Sequence, residues 1–339
     1  MDLLVEIKKK FPLINFFNDK LEDWNVVTNK SENYKIDVIP ELVKYRHQYL
    51  NENFVTQNLS MIFYDEKKTP IGIVPFSLTQ KKQLILGNFS YELTPIIFVK
   101  NLSKKSRNNL FRKYLKIIEF IKIRMRIKTI NFSINLSIPD DNDFFCFLLE
   151  NDFQIVGKNF LINCKILQNI ELNFKNFRDS YRPLIKSNKD NFKINFLSNS
   201  NFDKEIWLIF KSLHQKNAGR ITRNIKTWDL QQKAIENGNA ILSYIKLKDN
   251  FIGFAYFYLT NFECIYASAA FDKISKKKNL PVGHLIQYEL IKYLIKRDIK
   301  WLKLGVYSDK ILSSKEENII KFKKGFSTHT MVEIRLEKK

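Results

Sequence analysis

"PIGIVPFSLT" (Pro70–Thr79) returns 181 residues later as "FIGFAYFYLT" (Phe251–Thr260), with identities at Ile71/Ile252, Gly72/Gly253, Phe76/Phe257, Leu78/Leu259 and Thr79/Thr260. One short apolar match arises easily by chance, so the surroundings decide. Each copy follows a strand-like run and a charged turn, "LSMIFYDEKKT" and "AILSYIKLKDN", and each pair reads as a β-hairpin. After each hairpin comes another strand-like run, "QLILGNF" and then "CIYASAAF", followed by a loop and a helix. The first helix has Leu110, Tyr114, Ile117 and Ile121 on one face; the second has Ile286, Leu290 and Tyr293. Each helix leads into a strand. "TINFSINL" alternates, with Ile130, Phe132, Ile134 and Leu136 on one side, and "KWLKLGV" is its counterpart. The shared order of strand, turn, strand, strand, helix and strand reads as a tandem duplication. A chain of 339 residues also exceeds what one core usually holds, which places two domains at 1–170 and 171–339.

Apolar residues make up 45% of the chain, enough for two cores, and 9 glycines and 8 prolines leave little room for long flexible linkers. The formal charge of +22 is uneven: residues 1–100 carry 13 basic and 12 acidic side chains, residues 101–339 carry 44 and 23. The richness in Lys, Asn, Ile and Phe that A/T-rich codons produce accounts for part of it. A solvated basic surface is the plain reading. An anionic partner, whether a phosphate-rich substrate, a cofactor or RNA, is the sharper one. Cys146, Cys164 and Cys264 are far apart, odd in number and set among apolar residues, so they read as reduced core thiols rather than disulfides or a zinc site. The opening residues have no apolar leader with a cleavage site, and no run approaches 18 apolar residues. The expectation is a soluble, cytoplasmic protein.

The unusual residues gather in the second half, with three of the four histidines: His214, His284 and His329. "NAGRITRNIKTWDLQ" (Asn217–Gln231) packs two arginines, a tryptophan and a glutamine into a stretch with little apolar periodicity. "NLPVGHLIQYELIKYLIKR" starts a helix near Val282, where Pro281 and Gly283 let backbone approach closely and His284, Gln287 and Tyr288 share a face. Open amides at that start form an anion site, with Lys276, Lys277 and Lys278 just upstream. An amphipathic helix with an ordinary polar N-terminus is the plainer alternative. "SSKEENIIKFKKGFSTH" reads as a charged amphipathic helix, basic through Lys315, Lys321, Lys323 and Lys324, with Ile319, Ile320 and Phe322 as burial candidates. The histidines are scattered with no carboxylate at ligand spacing, and no G-x-S-x-G elbow occurs, so neither a metal site nor a serine hydrolase is expected.

Three separated motifs, "HQKNAGRITRNIKTWDLQ", "PVGHLIQYELI" and "KEENIIKFKKGFSTH", recur in this order in a surface-polysaccharide branch that the segment His214–His329 resembles. That branch belongs to the FemAB family of aminoacyltransferases and their acyltransferase relatives within the GNAT superfamily. The resemblance implies an α+β fold of tandem GNAT-like domains, each a mixed, mainly antiparallel central sheet flanked by helices. It implies an N-acyltransferase that moves an acyl or aminoacyl group to an amine of a cell-surface glycan or cell-wall precursor. The alternatives are an aminoacyl-tRNA-dependent peptidyltransferase acting on a peptidoglycan precursor, and a non-enzymatic RNA-binding protein. Acyl-CoA or aminoacyl-tRNA would be the co-substrate, with no permanently bound cofactor. A nucleotide- or lipid-linked sugar or peptide precursor would be the acceptor, with peripheral association to an anionic membrane surface and no stable DNA binding.

Within that frame Lys323, His284 and His214 are the catalytic candidates: an ammonium for the developing oxyanion and imidazoles to take a proton. Arg220, Arg223, Trp228, Gln231, Gln287, Tyr288 and His329 are expected on the substrate, the arginines as forks for phosphate or carboxylate. Lys278, Val282 and Gly283 are expected on the co-substrate, and most of these residues are expected to converge on one pocket of the second domain. Two departures from the superfamily pattern stand out. The phosphate loop aligns with "KNLPVG", with Pro281 where a glycine belongs, and "LGVYSDK" lacks the basic pair of relatives, offering Tyr307 and Lys310 instead.

Overall fold

A computed structural model describes residues 2–32, 34–88, 91–221, 223–307 and 313–339. The chain divides into two compact units, 1–159 with 331–339, and 160–330. The last nine residues, expected in the second domain, therefore belong to the first.

Unit 1 opens with α1 (Leu3–Lys10), β1 (Ile14–Phe16), α2 (Leu21–Lys30) and α3 (Pro40–Asn51). Five short strands follow: β2 (Val55–Asn58), β3 (Met61–Tyr64), β4 (Pro70–Val74), β5 (Ser77–Gln80) and β6 (Leu84–Gly87). Then come β7 (Ile97–Phe98), α4 (Lys104–Met125), β8 (Ile130–Asn135) and α5 (Pro139–Leu149). The strand β9 (Gln154–Lys165) leads into unit 2, which runs α6 (Ile170–Lys175), α7 (Tyr181–Asn188), β10 (Ile194–Leu197), α8 (Lys204–Ala218) and α9 (Ile225–Glu236). It continues with β11 (Ala240–Leu247), β12 (Asn250–Leu259), β13 (Glu263–Phe271), α10 (Lys273–Lys277), α11 (Val282–Lys296), β14 (Trp301–Tyr307), α12 (Ser314–Lys324) and β15 (His329–Lys338).

The repeated stretches do form hairpins: β3 pairs with β4, and β11 with β12, both antiparallel. The two copies then diverge at one position. Pro75 stands where the second copy has Tyr256. Proline brings no N–H to a ladder, so the strand breaks there. β4 stays in a sheet of order β1-β3-β4-β7, while β5 joins another of order β2-β5-β6. In unit 2 the equivalent strand β12 runs unbroken through ten residues. Its neighbour β13 absorbs the irregularity instead: Tyr256 faces Ser268 and Phe257 faces Tyr266, which leaves Ala267 as an extra, bulged residue. In unit 1 the helix face expected from Leu110, Tyr114, Ile117 and Ile121 is buried, and residues 333–338 pair antiparallel with 130–135.

The unit 2 sheet runs β10-β11-β12-β13-β14, with residues 160–165 of β9 beside β14. Its neighbours are antiparallel except β13 and β14, which are parallel. Alternation along β12 sends Phe254 and Tyr256 toward α8 and α9, where Trp207, Phe210 and Trp228 pack on them or on one another. Ile252, Phe257 and Leu259 join a core on the other face with Tyr181 and Ile185 of α7 and Leu285, Ile286 and Leu290 of α11. One thiol departs from expectation: Cys164 and Cys264 are buried, but Cys146 is exposed, on the outer side of α5.

Candidate active site

Parallel pairing between β13 and β14 covers only Glu263–Ile265 against Trp301–Lys303. Beyond those residues the strands part. The base of the fork is held by an ion pair, Lys303 Nζ to Glu263 Oε2 at 2.8 Å, with the glutamate side chain 1% exposed. Just past it both strands are irregular. Ala267 bulges from β13, and Leu304 is skipped in the ladder between β14 and β9, where Gly305 takes a φ of +136° that side chains rarely adopt. Past Ile265, the β13 edge that faces β14 has no strand partner among the described residues, which leaves backbone amides to serve a ligand.

Lys323, in the last turn of α12, fills this fork. Its ammonium lies 5.6 Å from the ring centre of Tyr266 on β13 and 3.0 Å from where a side chain at Gly305 of β14 would begin. Burial pulls its pKa below the ordinary lysine value, and among the described residues no carboxylate counters that effect. Lys324, one residue on, is exposed and sits 4.6 Å over the Tyr307 ring.

The turn that carries Lys323 is clamped by α7 and the residues before it. The Tyr181 hydroxyl donates to the carbonyls of Lys321 and Phe322 at 3.3 and 3.4 Å, and the Arg178 amide donates to the Gly325 carbonyl at 2.8 Å. A side chain at Gly325 would run into the Tyr181 ring. Gly325→Ala is therefore expected to cost about 1–3 kcal/mol, the usual cost of overpacking, and to lower turnover by shifting Lys323. Unfolding in urea measures the first; a wild-type melt with wild-type turnover would show that the clamp has no hold on the lysine.

A pocket of about 870 Å³ opens beside the fork, lined by Tyr266 and Phe271 of β13, Val282, Gly283 and His284 of α11, Ile319 and Phe322 of α12, and Leu184 of α7. At the start of α11, Pro281 has no amide hydrogen, the Val282 amide donates to Leu280 at 2.8 Å, and the Leu280 amide donates to Ser275 at 2.9 Å. The first-turn amides left for an anion are those of Gly283 and His284.

No protein-family model matches the chain, and no curated protein does. Solved structures do. FemX superposes with a TM-score of 0.66 at 12% identity, covering 93% of this chain and 95% of its own. The chain has the FemX fold. A conserved protein of unknown function from Bacteroides thetaiotaomicron gives 0.62 at 10% identity, with 96% and 100% covered. The C-terminal domain of an assigned lysylphosphatidylglycerol synthetase from Agrobacterium fabrum gives 0.59 at 11%, with 94% and 93% covered. At such identities the likeness is one of fold, and the expected α+β build of mainly antiparallel sheets flanked by helices is the one found.

On the FemX fold the candidate residues divide between the two faces of the unit 2 sheet. His284, Val282 and Gly283 line the pocket, and Lys323 stands next to it. His214, Arg223 and Trp228 lie on the opposite face, in the layer of α8 and α9: His214 is 5.3 Å from Trp228, and the Arg223 guanidinium stacks 4.0 Å over the indole. The expectation of one shared pocket is corrected, because alternate residues of β12 and β13 point to opposite sides. Trp228 and Gln231 are 1% and 2% exposed, so they are core residues of α9 and cannot offer a face to a ligand as they stand. Gln287 is equally buried, within α11. Tyr288 packs on Phe174, with ring centres 5.7 Å apart, away from the pocket lining. His329 sits 5.5 Å from Trp301, at the far end of β14 from Gly305, bonded to the Thr328 hydroxyl. Arg220 and Lys278 are exposed on loops, and Ile319, expected to be buried, is 44% exposed. Lys310 and the side chains of Lys276 and Lys315 lie outside the described residues.

Tyr181, Tyr266 and Gly305 were not singled out by sequence. The glycine inside "LKLGVY" was a readable sign, since glycine within a strand marks a bulge; the tyrosines carried none. Among the described residues no group of three or more His, Cys, Asp or Glu side chains is gathered for a metal, and no helix is long and apolar enough to cross a membrane.

Both half-buried histidines, His284 in the pocket and His214 on the opposite face, are held neutral. Burial, with the Arg178 charge second, pulls His284 down to about 4; burial, with Arg223 second, does the same for His214. Between the ordinary value of 6.5 and about 4 the unfolded chain binds protons that the folded one refuses. Stability from these sites is full above pH 6.5 and is lost as pH falls toward 4. The urea midpoint should fall over that window, and less steeply in His284→Gln. An unchanged slope in the variant would mean that His284 titrates normally.

Proposed function

We propose that unit 2 transfers an acyl or aminoacyl group to an amine of a cell-surface glycan or cell-wall precursor. The observation that carries this reading is the Lys323 ammonium in the β13–β14 fork, which has no ion-pair partner among the described residues, beside a strand edge whose amides have no strand partner among them. Attack of a neutral amine on an ester or thioester carbonyl puts negative charge on the carbonyl oxygen. Fixed amides and an unpaired cation are the groups that stabilise such charge. The tetrahedral adduct then expels an alkoxide or thiolate, which leaves with a proton, and no covalent enzyme intermediate is needed. His284 faces the same pocket with an unprotonated ring, so it can accept a hydrogen bond from the attacking amine, though its low basicity makes it a weak base.

Two donors fit this chemistry, an acyl-CoA and an aminoacyl-tRNA. The sparse amides at the α11 start favour the second, because a CoA pyrophosphate relies on a fuller cradle there. The name of the Agrobacterium protein, whose domain shares the fold, points the same way, toward aminoacyl transfer onto an envelope component. The test is a donor panel with purified protein, envelope precursors as acceptors, and mass detection. An aminoacylated product that disappears on RNase treatment is the expected result. A product that needs acyl-CoA and survives RNase reverses the donor assignment. No product from either donor class overturns the transferase reading.

A further inference from the structure

The pocket beside Lys323 is walled mainly by carbon. Tyr266 and Phe271 of β13, Leu184 of α7, Val282 of α11, and Ile319 and Phe322 of α12 enclose about 870 Å³. The rings are held from behind. Tyr266 lies on Phe257 with ring centres 5.4 Å apart, and Phe322 packs on His284 at 5.1 Å and on Phe326 at 5.3 Å. Gly283 keeps the space between two of these rings open: a side chain there would begin 3.2 Å from the Phe322 ring and 3.5 Å from the Phe271 ring. Leu184 and Ile319 are 42% and 44% exposed, so they form the rim. Among the described residues that line the pocket, none is charged; the polar ones bring hydroxyls, amides and the unprotonated His284.

We infer that this pocket receives the side chain of the transferred aminoacyl group and selects a large uncharged one, of leucine or phenylalanine size. The inference rests on the transferase reading, which sets the reacting carbonyl against Lys323. In an aminoacyl ester the side chain begins two bonds from the carbonyl carbon, so it must lie along whatever borders the ammonium. Those borders are Tyr266, whose ring centre is 5.6 Å from the Lys323 ammonium, and Phe322, its neighbour in the chain. Both are walls of the pocket. An aliphatic or aromatic side chain there leaves water for an apolar surface that is already shaped. A lysyl or arginyl group would carry its cation into a space with no carboxylate among the described lining residues, beside the Lys323 ammonium. Desolvation and like charge both oppose that. A glycyl group would touch none of the walls and gain nothing from them.

Binding is tested without turnover, by saturation-transfer NMR on the methyl esters of phenylalanine, leucine, lysine and glycine, with adenosine as a fifth probe. The phenylalanine and leucine esters should bind, the lysine and glycine esters about tenfold more weakly or worse. Gly283→Ala crowds two rings and should weaken the phenylalanine ester. Ile319→Asp puts a carboxylate on the exposed rim, so it should fold as wild type does and shift the lysine-to-phenylalanine ratio about tenfold toward lysine. With charged tRNAs, kcat/KM should follow the same order in the wild type and shift in the same sense in Ile319→Asp. A lysine ester bound as tightly as the phenylalanine ester, or an order that neither variant moves, overturns the inference. Adenosine binding that Gly283→Ala weakens, with no ester bound, makes this the seat of the donor's nucleoside and overturns it too. Transfer that favours lysyl or glycyl donors leaves the transferase reading standing and overturns only the selection; no transfer from any donor removes both.

Discussion

Lys323→Met should cut turnover by about two to three orders of magnitude, the loss usual when a fixed donor to a developing oxyanion is removed. Lys324→Met should leave turnover within a few-fold. The two lysines are neighbours, yet 100° of helical turn sends one into the fork against Tyr266 and Gly305 and the other out over Tyr307. Methionine keeps the length and the apolar stem of Lys323, so the packing survives. Its half-buried ammonium has no carboxylate partner among the described residues, so folding should be unharmed or slightly improved when the charge is removed. Equal melting temperatures are the control. Equal, small losses for both variants would reduce the basic run to a solvated face and withdraw Lys323 from the site.

The largest stability effect should come from the base of the fork. Lys303→Met leaves the Glu263 carboxylate, 1% exposed, without its 2.8 Å partner. Stranding one member of a buried ion pair costs about 3–5 kcal/mol. The double variant Glu263→Gln/Lys303→Met should recover most of that, because it removes the buried carboxylate charge along with the pair. Urea unfolding of the two single variants and the double gives the coupling directly. Additive losses would mean that the two side chains act on stability separately and that another group balances Glu263.

The sequence carried the order of elements because local patterns carry it. The hairpin repeat, the face of α4 and the start of α11 at Val282 all follow from short-range periodicity and turn residues. What stayed hidden was non-local or disguised. Pairing of residues 333–338 with 130–135 spans almost two hundred positions and leaves no local trace. The buried face of α9 was within reach: Thr227, Trp228, Gln231, Ala234 and Ile235 recur at helical spacing. Two of those five are polar, and that made a core face look like a ligand-binding segment. Lys323 was placed by resemblance; its setting against a bulged tyrosine strand and a left-handed glycine could be seen only in three dimensions.

The return of the final strand to unit 1 has a consequence for how the protein is made. A ribosome releases the chain from its N-terminus, so residues 1–159 emerge early, but their sheet lacks the partner of β8 until residues 333–338 appear. Meanwhile β8 presents an open edge to anything nearby, including a second nascent copy. Unit 2, by contrast, has all of residues 160–330 in hand before the last strand is synthesised. The later-synthesised unit can thus finish folding first, and the window for mispairing closes only when residues 333–338 have emerged.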